Sequence, residues 1–265
     1  MKTCTRIALL AGLALLAACA SAPDAPLPVT HDDGTSVMPV TGVNGWQFNR
    51  TLRFGDYSTS PVGPTATRTT TKCVGTCGFK TDLGIYDTEF DARYSTATSR
   101  IAFTQHGPDG LDAQVRSVDQ TRTESAQWLT RWFGFPTSIG GRRDVTTTFS
   151  GTIAPTSDGR PNWRFVLIAD IGQPGIEWPA GWLADDQGHL IVVKHMQPPA
   201  GTPAFVARAM HGAGPGLQFE LDGRIVGSVD PIGGGLVRLR DDLQQETQFA
   251  LASLSTALLL RPRGQ

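Results

Sequence analysis

Trp163-Arg164-Phe165-Val166-Leu167-Ile168-Ala169 follows Asp144–Ile153 across Ser157-Asp158-Gly159-Arg160, and this pair of segments decides the fold class. Both segments are rich in β-branched and aromatic residues. The Asp-Gly between them supplies the positive-φ turn chemistry that folds a chain back as an antiparallel hairpin.

The same pattern recurs on either side. Arg100–Gln105 returns as Leu111–Arg122 across Gly107-Pro108-Asp109-Gly110, where Pro presets φ and Gly accepts its positive values. Trp182–Ala184 and His189–Val193 flank Asp185-Asp186-Gln187-Gly188; Leu217–Leu221 and Ile225–Val229 flank Asp222-Gly223-Arg224; Leu236–Leu239 follows Gly233-Gly234-Gly235. Upstream, Trp46–Phe54 alternates, with Trp46, Phe48, Leu52 and Phe54 on one face. A strand over about 85–94 sets Tyr86, Phe90 and Tyr94 against Asp87, Glu89 and Asp91. Residues 55–78, rich in Gly, Pro, Ser and Thr, read as a long loop. Residues 124–133 read as a short helix, from the recurrence of Trp128, Leu129, Trp132 and Phe133.

One longer helix is predicted at about 241–260. Asp241 and Asp242 suit its positive end and Arg261 its negative end, and Leu243, Ala250, Leu254 and Leu258 form an apolar stripe. The stripe should cover a sheet floored by strands apolar on both faces, such as 163–168 and 190–193. The expected fold is mainly β: roughly ten hairpin-connected strands in antiparallel sheet, as a sandwich or open barrel, with the C-terminal helix packed on it.

The N-terminus speaks of location. Lys2 and Arg6 precede an apolar run from Ile7 to Ala18, too short for a typical membrane span, which ends Leu16-Ala17-Ala18-Cys19. This ending resembles the lipobox of bacterial lipoproteins. The resemblance implies diacylglycerol on the Cys19 sulfur, cleavage before Cys19 and acylation of the new amino terminus. It also implies an outer-membrane address facing the periplasm, since Ala20 and Ser21 stand where an Asp would retain the protein at the inner membrane. An ordinary secretory signal, cut after Ala20 or Ala22, is the competing reading. The chain then divides into a signal over 1–18, a Pro-rich tether over 19–39, and a single β-rich domain over 40–265.

Loss of the signal with Lys2 and Arg6 leaves 247 residues carrying 21 basic and 24 acidic side chains, a net charge of −3. That balance, without Lys/Arg clusters among aromatics, argues against a nucleic-acid partner. No later apolar stretch approaches a spanning length, so the membrane is met through lipid.

Candidate chemistry is sparse. Cys73 and Cys77 read as a local disulfide in an oxidising compartment. Cys-x-x-x-Cys-Gly also resembles the dinuclear copper loop of cytochrome oxidase subunit II, but Thr81 and Gly84 stand where that family requires His and Met. Cys-x-x-x-Cys alone resembles copper chaperones of the Sco type, whose thioredoxin-like alternation is not seen around the pair. No metal site and no cofactor is assigned. His31, His106, His189, His195 and His211 are scattered, and no nucleophile sits in a recognisable turn. Asp87, Glu89 and Asp91 read as one solvated strand face. Trp178 and Trp182, in a Pro/Gly-bent segment, are candidate ligand-binding residues, because an exposed indole offers a flat apolar face and one polar N–H. The function expected is that of a lipid-anchored envelope protein with a non-enzymatic binding or structural domain; a periplasm-facing hydrolase and a hydrophobic-ligand carrier are the alternatives.

Overall fold

The computed structural model describes residues 29–43, 50–63, 66–73, 79–82, 86–132, 135–170, 180–196, 216–231 and 234–261, of which 79–82, 86–91, 127–132, 135–144 and 170 are placed by their backbone alone. Its strands are β1 (Thr30–Asp32), β2 (Thr35–Pro39), β3 (Arg53–Phe54), β4 (Tyr57–Thr59), β5 (Thr67–Cys73), β6 (Phe79–Asp82), β7 (Tyr86–His106), β8 (Asp112–Trp132), β9 (Phe135–Pro155), β10 (Trp163–Asp170), β11 (Ala180–Asp185), β12 (Leu190–His195), β13 (Leu217–Leu221), β14 (Arg224–Asp230) and β15 (Leu236–Arg240). Among the described residues one α-helix, α1, spans Gln245–Leu260.

All fifteen strands belong to one sheet, ordered β1-β2-β15-β14-β13-β12-β11-β10-β9-β8-β7-β4-β3, with β5 and β6 also pairing β7. Neighbours are antiparallel throughout, as hairpin connections require. The turns expected from Pro-Asp-Gly and Asp-Gly are in place: Asp109 and Gly110 sit at φ 55° and 72°, Asp222 and Gly223 at φ 52° and 79°. Among the described residues there is no second sheet, so the sandwich alternative falls away and the sheet is an open, curved one. Its two ends come together at a bridge: Thr41 donates to the Arg53 carbonyl at 2.9 Å, and Arg53 returns the bond at 3.2 Å.

Curvature explains the core. On the strands that wall the core alternate residues turn inward, as in Trp163, Phe165 and Leu167 on β10 or Ile101 and Phe103 on β7, and these join one cluster with α1. Twelve consecutive helical residues, Phe249 to Leu260, are buried. The expected one-sided stripe is corrected accordingly. A helix hugged by a curved sheet is covered all round, so its sequence carries Leu and Ala on every side. Ser253, Ser255 and Thr256 survive there because each hydroxyl donates to the carbonyl four residues back, at 2.8–3.0 Å.

Other expectations are corrected too. The helix begins at Gln245, because Asp241 and Asp242 lie in the turn after β15. Of the tether expected over 19–39, Thr30–Pro39 lies in the sheet as β1 and β2, with Met38 buried opposite Val237, and residues 19–28 lie outside the described residues. The loop read over 55–78 contains β4 and β5. β10 and β12 are not covered on both faces, since Ile168 is 55% exposed and Leu190 52%. The short helix over 124–133 is strand, the distal half of β8.

β7, β8 and β9 are each 21 residues long. Their ladder continues past the end of β10, where Asp170 pairs Thr146 and Thr146 pairs Arg122, as far as Trp132. This projection, which we call the arm, runs about 33 Å beyond β10 at 3.3 Å per residue. β5 and β6 line its β7 edge.

Candidate functional site

A cleft of about 230 Å³ opens where α1 begins. Trp163, Ile191, Leu221 and Leu243 give it apolar walls; His189, Asp222, Arg224, Asp242, Gln244 and Thr247 give it polar ones. The tight Asp222-Gly223 turn starts β14 at Arg224, whose Nη1 donates to Asp242 Oδ2 at 2.9 Å. Arg240 donates to the same carboxylate from Nε at 2.9 Å and from Nη2 at 3.1 Å. These bonds, those of Arg240 foremost, hold the Asp242 carboxyl at about 2. At His189, the imidazole Nδ1 lies 2.6 Å from Asp185 Oδ2, and the Asp185 side chain also accepts the backbone N–H groups of Gln187 and His189. Burial raises the Asp185 pKa, but the hydrogen bonds to His189 and Gln187 together hold it below the ordinary carboxylate range.

Chemically, these pairs brace the mouth of the sheet. A general acid needs a carboxyl whose pKa is raised, and Asp242 is held ionised by two guanidiniums. Among the described residues no group of three or more His, Cys, Asp or Glu could hold a metal ion. The other histidines do not converge here. His106 Nδ1 lies 2.7 Å from Asp112, His31 lies 3.3 Å from Asp241, His195 ends β12, and His211 is outside the described residues.

The structure separates the sequence-derived candidates. Trp182 lies on β11 between Val166 of β10 and Val192 of β12, and is 40% exposed on the outer face. Exposed Ile168 extends this patch along β10. Trp178 and Cys77 lie outside the described residues, as do Cys19 and the residues around it. Cys73 is the last residue of β5, in register with Arg93. Asp87 lies in register between Arg131 of β8 and Asp82 of β6, Glu89 between Leu129 and Lys80, and Asp91 beside Gln127, so residues of both charge signs share this face.

Sequence reasoning missed the arm. Register places Phe79, Phe90, Trp128 and Ile139 in one row across four strands, and Tyr86, Trp132 and Phe135 in a second row near the tip. Thr81, Thr88, Thr130 and Thr137 form the row between them. All three rows belong to one face of the arm, and Asp87, Glu89, Lys80 and Arg131 belong to the other. The available signal was the alternation Trp128-x-Thr130-x-Trp132. A spacing of four fits a helix turn and two strand repeats equally well.

No helix among the described residues is long and apolar enough to cross a membrane. No family model, curated protein or solved structure matches this chain.

Proposed function

We propose that this protein is a bacterial envelope lipoprotein, held at the outer membrane by acyl chains on Cys19 and facing the periplasm. Its β-domain is a non-enzymatic module that binds an envelope component at its surface. The observation that carries this reading is the filling of the concave side of the sheet by α1, from Phe249 to Leu260. A hydrophobic-ligand carrier needs an apolar interior of several hundred Å³, and that space is taken by the helix. Binding is therefore assigned to the outer surface, where the Trp182 indole, flanked by Val166 and Val192, offers an apolar face with a polar handle. Trp178 is proposed to contribute beside it. Cys73 and Cys77 are proposed to be joined as a local staple at the edge of the arm.

The test is photocrosslinking in intact cells from a reactive residue at position 182, with position 225 as control because Ile225, 55% exposed against 40% for Trp182, lies three strands away on β14. A discrete adduct from 182 alone supports the reading. Equal labelling from both positions, or none, contradicts it.

A further inference from the structure

The arm carries chemistry that the Trp182 patch does not explain. One face of its distal half holds two rows of residues that are aromatic on three strands each, while the opposite face holds charged residues of both signs. Trp and Tyr concentrate at membrane–water interfaces, because each combines a large apolar body with one polar group. A sheet end with one face holding Trp128, Trp132, Tyr86 and Phe90 and the other holding Asp87, Glu89 and Arg131 fits an interfacial layer, the aromatic face being the membrane-side one.

Chain direction selects the bilayer over other occupants. Antiparallel order from β7 round to β1 makes these two strands run the same way, both entering the body from the end at which the arm projects. The chain therefore enters β1 at Thr30 from the arm's end. Eleven peptide units separate Cys19 from Thr30, a span of at most about 36–40 Å. An anchor at Cys19 cannot hold the bilayer farther than that from the sheet, on the side where the arm extends about 33 Å past β10.

We propose that the aromatic face of the arm docks into the interfacial layer of the bilayer that holds Cys19, so that the protein meets its membrane at two points. The inference rests on the lipid-anchor reading, and its test separates the two. The full lipidated chain is reconstituted into phosphatidylethanolamine/phosphatidylglycerol vesicles, with and without brominated acyl chains, and flotation and tryptophan quenching are both measured. Flotation reports the anchor: the wild type floats, and Cys19→Ala floats at least tenfold less. Quenching reports the arm: Trp128→Phe/Trp132→Phe, with unchanged melting temperature, loses at least half of the wild-type quenching by bromolipid.

A wild type that floats with no quenching attributable to these two tryptophans overturns the docking and leaves the anchor standing. If the wild type does not float, quenching at saturating lipid still decides: dependence on Trp128 and Trp132 keeps the docking without the anchor, and its absence overturns both. A dimer that depends on Trp128 and Trp132, seen by light scattering without bromolipid quenching, overturns the proposal in favour of a second copy of the chain.

Discussion

Arg261, one residue beyond α1, donates from Nε to Asp119 Oδ2 of β8 at 2.7 Å, with both side chains only 10% exposed. Its guanidinium carbon also lies 5.7 Å from the centroid of the Phe149 ring on β9. The far end of the helix is thereby fixed to the strands that continue into the arm. Removing one partner leaves a nearly buried charge unmatched, which costs roughly 3–5 kcal/mol in buried pairs. Arg261→Met and Asp119→Leu should each lower the melting temperature sharply, and the double variant should recover most of the loss. If the single and double variants melt alike, the pair is not coupled.

The helix itself is the second point of test. Leu254 is fully buried midway along α1. Leu→Ala in a packed site costs about 2–5 kcal/mol, against a typical total of about 5–15 kcal/mol. Leu254→Ala should therefore melt many degrees lower, and a chain ending at Asp241 should not fold cooperatively. Cooperative melting of that truncated chain at the wild-type temperature would make α1 an accessory element.

Close approach, rather than backbone conformation, demands a glycine at 107. A Cβ there would lie 2.7 Å from the Phe249 ring. Overpacking of this kind costs about 1–3 kcal/mol. Gly107→Ala should lower stability by that order in a denaturant titration, and Phe249→Leu should partly compensate it. Strictly additive effects would show that the two sites do not touch.

Two groups set opposite pH limits. Asp242 is held at about 2, against an unfolded value near 3.9, so its contribution is present above pH ~4 and is lost as pH falls through about 2. Tyr57 runs the other way. Burial, with help from Asp56, pushes its phenol up to about 12, against about 10 unfolded. Its neutral form is favoured by folding, so that contribution is intact below pH ~10 and lost as pH rises toward 12. Melting temperature should fall at both extremes. Asp242→Asn should flatten the acid limb and Tyr57→Phe the alkaline one; a limb unchanged by its substitution would remove that group from the account.

Much of the fold was legible because its signals are local. Pro108-Asp109-Gly110 and Asp222-Gly223 set hairpins through φ preferences that need no tertiary context. Segments whose partner decides their state were not legible. Trp128 and Trp132 fit either period, and pairing with β7 and β9 resolves them as strand. Thr30–Pro39 is polar and Pro-flanked, and joins the sheet only because β15 offers it an edge. The candidate site was half visible. Trp182 stood out by residue type, whereas the aromatic rows of the arm exist only once four strands are brought into register.

The account depends most directly on lipid at Cys19. Intact mass and metabolic palmitate labelling of the mature protein, alongside membrane fractionation of wild type and Cys19→Ala, measure it. The predicted result is an acylated chain beginning at Cys19 that sediments with the outer membrane, and an unlabelled Cys19→Ala chain released from it. An unmodified mature chain beginning after Ala20 or Ala22, or a Cys19→Ala chain that fractionates as the wild type does, would contradict it.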